Sequence, residues 1–83
     1  MPLFMDVHNL DGGVKVDDVA KAHDADLETQ GAYDVKYLRY WVNEGEGKVF
    51  CLVEAPSAEA AETVHREAHG LVADSIYQVQ EGA

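Results

Sequence analysis

Cysteine is almost missing from this chain: Cys51 is the only one among 83 residues. No internal disulfide can staple it. Cys51 also sits in the apolar run Val49-Phe50-Cys51-Leu52-Val53, where a thiol behaves as a small buried hydrophobe. A lone buried thiol fits a reducing compartment, so a cytoplasmic location is the expectation. Basic residues are scarce as well, 6 against 16 acidic ones, for a formal net charge of −10. Such a surface repels nucleic acid and anionic membrane alike and leaves cations as the natural partners. No basic flank is followed by a long apolar run, and no stretch approaches a membrane span. There is no low-complexity tract and no repeat.

What is present is enough for a core. Hydrophobic residues make up 47% of the chain, which excludes the disordered class that strong charge would otherwise suggest. Residues 1–83 read as one domain, small enough to bury only about 60–65% of the surface exposed by the unfolded chain.

The coarse order is strand, helix, strand, strand, helix, strand. Leu3–His8 is a strand, closed by the turn signal Asn9-Leu10-Asp11-Gly12-Gly13. Asp17 is the expected N-cap of a helix marked by Val16, Val19, Ala20 and Leu27, with Gly31 as its stop. A strand from about Val35 to Val42 and another over Lys48–Glu54 flank the hairpin loop Asn43-Glu44-Gly45-Glu46-Gly47. Ser57 caps a second helix that Gly70 terminates, and Ser75–Gln80 is the last strand.

A βαββαβ order is the split arrangement of a ferredoxin-like α+β sandwich, with two helices on one face of a four-stranded antiparallel sheet. Strict alternation puts Leu3, Met5, Val7, Leu38, Tyr40, Val42, Val49, Cys51 and Val53 on one face. The other face receives Phe4, Asp6, His8, Tyr37, Arg39, Trp41, Phe50, Leu52 and Glu54. That mixture is too apolar to be left wet and too polar for an ordinary core. A homodimer paired through this face resolves the conflict.

Histidines are the side chains best suited to borderline metals. In Thr63-Val64-His65-Arg66-Glu67-Ala68-His69 two imidazoles are four residues apart on a helix, about 5–6 Å between Cβ atoms. With Ala61, Val64, Ala68 and Leu71 as the core stripe, Glu62, His65 and His69 form one line along its edge. Two nitrogens and a carboxylate oxygen could then face one ion, a donor set suited to nickel, copper or zinc. The same spacing also occurs on ordinary solvated helix edges. Arg66 stands where a zinc protease requires glutamate, so that class is excluded. His8, two residues from Asp6 on the same strand, is either a further metal ligand near a dimer edge or a hydrogen-bonded member of the interface. His23 falls within the stripe of the first helix and reads as a core histidine.

Catalysis has weaker support. No serine is placed as a nucleophile, and Gly12-Gly13 lacks a phosphate-loop pattern. The rival constellation is Asp6, His8, Arg39 and Glu54, which could serve proton transfer in an enzyme of the dimeric α+β barrel kind. A plain dimerisation module with incidental metal affinity is the third reading. A non-enzymatic metal-binding protein is the expectation.

Four stretches carry a resemblance. They are Met1-Pro2-Leu3-Phe4-Met5-Asp6-Val7-His8, Val35-Lys36-Tyr37-Leu38-Arg39-Tyr40-Trp41, Lys48-Val49-Phe50-Cys51-Leu52-Val53-Glu54-Ala55-Pro56 and Val64-His65-Arg66-Glu67-Ala68-His69-Gly70-Leu71. Through them the chain resembles the small actinobacterial nickel-binding proteins of a family long described as a domain of unknown function. The resemblance implies a ferredoxin-like subunit, a homodimer, nickel ions at the dimer surface, and a role in nickel sequestration or detoxification. The ligands expected on this chain are His65 and His69, with Glu62 as helper and His8 as a further candidate.

Overall fold

The computed structural model describes residues 1–82. Its elements are β1 (Leu3–Asn9), α1 (Val16–Thr29), a 3-10 turn (Gln30–Tyr33), β2 (Lys36–Asn43), β3 (Lys48–Glu54), α2 (Ala58–Ala68) and β4 (Ser75–Val79). The strands form one sheet in the order β2-β3-β1-β4, and every neighbouring pair is antiparallel. Because β3 lies between β1 and β2, α1 crosses over it to join them. This is the expected ferredoxin-like α+β arrangement.

The register settles which residues face the helices, and it differs from strict alternation. Phe4, Asp6 and His8 stand opposite Val53, Cys51 and Val49. Residues directly opposite share a face, so Asp6 and His8 join the buried side while Leu3, Met5 and Val7 turn to the open face. On β2 the pairing shifts between Tyr37 and Arg39, so that both Tyr37 and Tyr40 lie on the helix side. An irregularity of this kind resets the alternation downstream of it, and no residue type announces it in advance. The rival constellation is therefore split. Asp6 and His8 point inward, whereas exposed Arg39 and half-buried Glu54 belong to the other face.

The core is Phe4, Val19, Val35, Tyr37, Val49, Cys51, Val53, Ala55, Ala61 and Val64. On α1 the buried stripe is Val19 and Asp26, seven residues apart, with Ala22 and His23 half-buried between them. Leu27 is exposed instead. On α2 the buried residues are Ala61, Val64 and His65, and Leu71 beyond its end is exposed. The stripe is thus rotated relative to the expected one, and it carries His65 inward.

Helix ends show where local signals hold. Ser57 Oγ accepts the Ala60 N–H at 3.2 Å, and Gly70 takes φ +80° while its N–H donates to the His65 carbonyl at 2.9 Å. The start of α1 is different. Its cap residue is Lys15, which offers no side-chain bond, and Glu44 of the β2–β3 loop accepts the Val16 N–H at 2.8 Å instead of Asp17. At its far end the chain runs past Gly31 through the 3-10 turn and stops at Asp34, with φ 58°. Gly47 holds the two loops together: its carbonyl accepts the Leu10 N–H at 2.7 Å, at φ +68°.

Candidate metal centre

His65 is the hub of a polar cluster buried between the helices and the sheet. It comes from α2 and is 2% exposed, with Asp6 of β1 at 1% and Asp26 of α1 at 2%. Its Nδ1 lies 2.9 Å from Asp26 Oδ1, and its Nε2 lies 2.9 Å from Asp6 Oδ2. One imidazole thus joins both helices to the sheet.

Further groups close in on the same hub. His8 Nε2 is 3.1 Å from Asp6 Oδ1, and His69 Nε2 is 3.0 Å from Asp26 Oδ1. The Tyr37 ring stacks on His65 with centroids 4.4 Å apart, and its hydroxyl is shared between the Ala61 carbonyl at 3.0 Å and Asp6 Oδ2 at 3.3 Å. The rings of His8 and His69 lie 5.0 and 4.9 Å from that of His65. Cys51 stands opposite Asp6 in the β1–β3 register.

The charges follow from these contacts. Both nitrogens of His65 face carboxylate oxygens, and both can donate only in the imidazolium. Burial disfavours that charge, but hydrogen bonds to Asp26 and Asp6, and their negative charges, outweigh it and raise His65 to about 9. Burial likewise works against an ionised Asp6. The hydrogen bond from His65 and the charges of His65 and His8 prevail there and hold it down at about 2. The Cys51 thiol is pushed up by burial and by Asp6, and the Tyr37 phenol by burial and both carboxylates, so each keeps its proton. His69 is shifted down, by burial above all, with the His65 charge in the same direction.

The centre has spare donor atoms. Asp6 Oδ1 and His69 Nε2 are buried, lie at ion-pair distance from His8 and Asp26, and yet have no hydrogen-bond partner among the described residues. Two donor groups share His65: Asp6, His8, Cys51 and His65 form one, and Asp26, His65 and His69 the other. Within each group the ligand atoms lie within 4.8 Å of one another. Imidazole nitrogen and carboxylate oxygen suit a divalent first-row metal. The two buried carboxylates also favour a divalent cation in place of the His65 proton.

His65 and His69 are brought together as their spacing requires. Half-buried Glu62 belongs to neither donor group, whereas Asp26 belongs to the one that contains His65 and His69. His8 is part of the same cluster rather than of a separate one at a dimer edge. The centre also lies inside the fold, not on an outer helix face as the sequence suggested. His23 is half-buried beside Tyr40, ring centroids 4.7 Å apart, rather than enclosed in the core. Asp26 escaped the sequence reading, although its place seven residues after Val19 and three after His23 marks it as inward on α1.

A cleft of about 340 Å³ opens above this cluster, between α1, the loop that joins it to β1, and the helix side of the sheet. His8, Asp26, His65 and His69 line it, together with several apolar side chains.

Residues 4–79 match the family model described as "Nickel responsive protein SCO4226-like". The chain is also similar to the crystal structure of SCO4226 from Streptomyces coelicolor A3(2), at 40% identity and a TM-score of 0.90, over 98% of this chain and 99% of that one. No curated protein matches it.

Proposed function

The chain belongs to the SCO4226-like family of nickel-responsive proteins, and from that premise we propose that it binds nickel at the His65 centre, sequestering the ion rather than acting as an enzyme. The observation that carries this reading is the convergence of three imidazoles and two carboxylates on one hub, with two donor atoms lacking partners. His69 is the ligand nearest to solvent, with Asp26 buried beneath it at the floor of the cleft. His65 supplies a nitrogen once its proton has left, and Asp6 with His8 extends the donor set behind it. A binding role fits the state of the reactive groups better than catalysis does. The Cys51 thiol keeps its proton, and both nitrogens of His65 are tied to carboxylates.

The protein works as a homodimer in this reading. The open face of the sheet presents Trp41, 48% exposed, and Tyr77, 58% exposed, beside half-buried Met5, Phe50 and Leu52. A second copy would cover such a surface.

Calorimetric titration of nickel into chelator-treated protein tests the site. The wild type binds saturably, and His69→Gln, a change at the cleft floor that leaves the Asp6–His65–Asp26 contacts in place, weakens binding by at least about tenfold. Glu62→Gln leaves it unchanged. Equal losses in both variants would move the site to the outer face of α2 and sink the buried-centre reading.

A further inference from the structure

The inner side of the hub holds a thiol that the nickel reading leaves unused. Asp6 and His8 of β1, Cys51 of β3 and His65 of α2 are all buried, and one ligand atom from each lies within 4.8 Å of the others. Asp6 is at the middle of the group. Its carboxylate is 2.9 Å from His65 Nε2 and 3.1 Å from His8 Nε2, and Cys51 is its partner in the β1–β3 register. The His8 contact lacks the alignment of a hydrogen bond, so that nitrogen is not tied to the carboxylate as a donor. The rings of His8 and His65 meet edge to face at 67°.

This donor set differs in kind from the one on the outer side of the ring. Asp26, His65 and His69 offer nitrogen and oxygen only, beside the cleft, where water can fill further positions. The inner group offers two imidazole nitrogens, a carboxylate oxygen and a sulfur, and its burial leaves little access for water. Four such donors in a closed shell are the pattern of tetrahedral zinc. Around zinc they stand about 3.3–3.8 Å apart, so the group needs to contract by no more than about 1 Å. Asp26 supplies the support behind it. Its Oδ1 is 2.9 Å from His65 Nδ1, the carboxylate contact that turns the opposite nitrogen of a ligating histidine toward its metal. His8, Cys51 and His65 also line the cleft, which gives an ion its way in.

In the metal-free protein burial and the Asp6 charge keep the thiol protonated. A dication set between sulfur and carboxylate reverses that field, and a thiol that coordinates it loses its proton. We propose that Asp6, His8, Cys51 and His65 form a second metal site, closed and four-coordinate, that takes zinc through the Cys51 thiolate, the two Nε2 atoms and one Asp6 oxygen. Binding sends the thiol proton and the His65 Nε2 proton to solvent. The site goes beyond the nickel reading and does not depend on it, since the two ions address opposite nitrogens of the His65 ring.

Cobalt(II) is the probe, because it takes the place of zinc and reports its ligands by colour. In the full chain freed of metal, the first equivalent should give strong tetrahedral absorption in the visible and a thiolate-to-cobalt band in the near ultraviolet. Zinc should remove both. Cys51→Ala, which leaves a small apolar side chain in the core, should lose the band, weaken zinc binding at least about tenfold in competition titrations, and keep the nickel affinity of the wild type. His69→Gln should keep the band and the zinc affinity. Weak octahedral absorption without the band in the wild type overturns the proposal whatever the variants do. Zinc affinity unchanged in Cys51→Ala, an equal loss in His69→Gln, or loss of nickel along with zinc in Cys51→Ala would each overturn it too. Nickel is titrated separately. Nickel binding without the cobalt–thiolate band defeats this inference alone, and the band in a protein that takes no nickel defeats the nickel reading alone.

Discussion

Asp26 and His65 are 39 residues apart in the chain, yet Oδ1 of one lies 2.9 Å from Nδ1 of the other, with both side chains buried. This contact ties α1 to α2, and the opposite nitrogen of the same ring ties α2 to Asp6 of β1. A buried charged network of this kind costs desolvation energy that only mutual pairing offsets. It holds the helices in one register against the sheet and places donor atoms where a cation can use them.

The first consequence is a stability maximum on the acid side of neutrality in the metal-free protein. His65 is raised to about 9, so its contribution is complete below its unfolded value near 6.5 and is lost as pH rises through about 9. Asp6 is lowered to about 2, so its contribution is complete above about 4 and is lost as pH falls through about 2. The two shifts report one shared interaction and are not summed. His69, shifted down, works against the fold as pH drops below about 6.5. Urea midpoints should therefore peak near about pH 6.5 and fall by about pH 9.5, with a loss on the order of 2–3 kcal/mol. A level profile across the alkaline limb would mean that His65 is neutral in the fold.

Nickel binding should release a proton. The hub imidazole carries one at neutral pH, and a metal can take its nitrogen only after that proton leaves. Calorimetry near pH 7.5 in buffers of differing ionisation enthalpy should show about one proton released per ion. Affinity should keep rising toward pH 9 rather than levelling above pH 7. Release near zero would exclude His65 as a ligand.

Gly47 and Gly45 share one loop and should respond differently to alanine. At Gly47, φ is +68° and a Cβ would overlap the Leu10 carbonyl oxygen, which is backbone and cannot swing away. Gly45 has no such φ, and a Cβ there would make only an ordinary contact with the Asn43 side chain. Gly47→Ala should cost about 2–4 kcal/mol in urea denaturation and Gly45→Ala no more than about 0.5 kcal/mol. Similar values for the two would mean that the β1–α1 loop does not pack on the hairpin as described.

The open sheet face supplies a test of assembly. Trp41→Glu places a charge beside Phe50 on the open face without reaching the core, so it should shift sedimentation from dimer to monomer and leave the far-ultraviolet spectrum intact. A wild type that sediments as a monomer at micromolar concentration would remove the second copy from the reading.

Signals that act within a few residues were legible in the chain. Ser57 caps α2 because its hydroxyl needs only the N–H three residues ahead, and Gly70 ends that helix because it bears no Cβ. The element order βαββαβ followed from periodicity and turn residues, and with it the ferredoxin-like arrangement. The pairing of His65 with His69 followed from helical geometry, which places residues four apart side by side. Burial of Cys51 followed from its apolar neighbours.

Tertiary structure alone decided the rest. Alternation cannot tell which half of β1 faces inward when each half holds apolar residues. The choice fell to Asp6 and His8 because His65, 59 positions beyond Asp6, supplies the partner that makes burial of a carboxylate tolerable. Asp26 meets His65 for a related reason: burying His65 turns its ring toward α1, where a carboxylate 39 positions earlier in the chain lies within 2.9 Å of Nδ1. The start of α1 passed from Asp17 to Glu44 because the hairpin loop, anchored by Gly47, carries a carboxylate to an unpaired N–H. Each of these outcomes depends on a partner remote in sequence, and a charged side chain is buried only where the fold brings that partner to it.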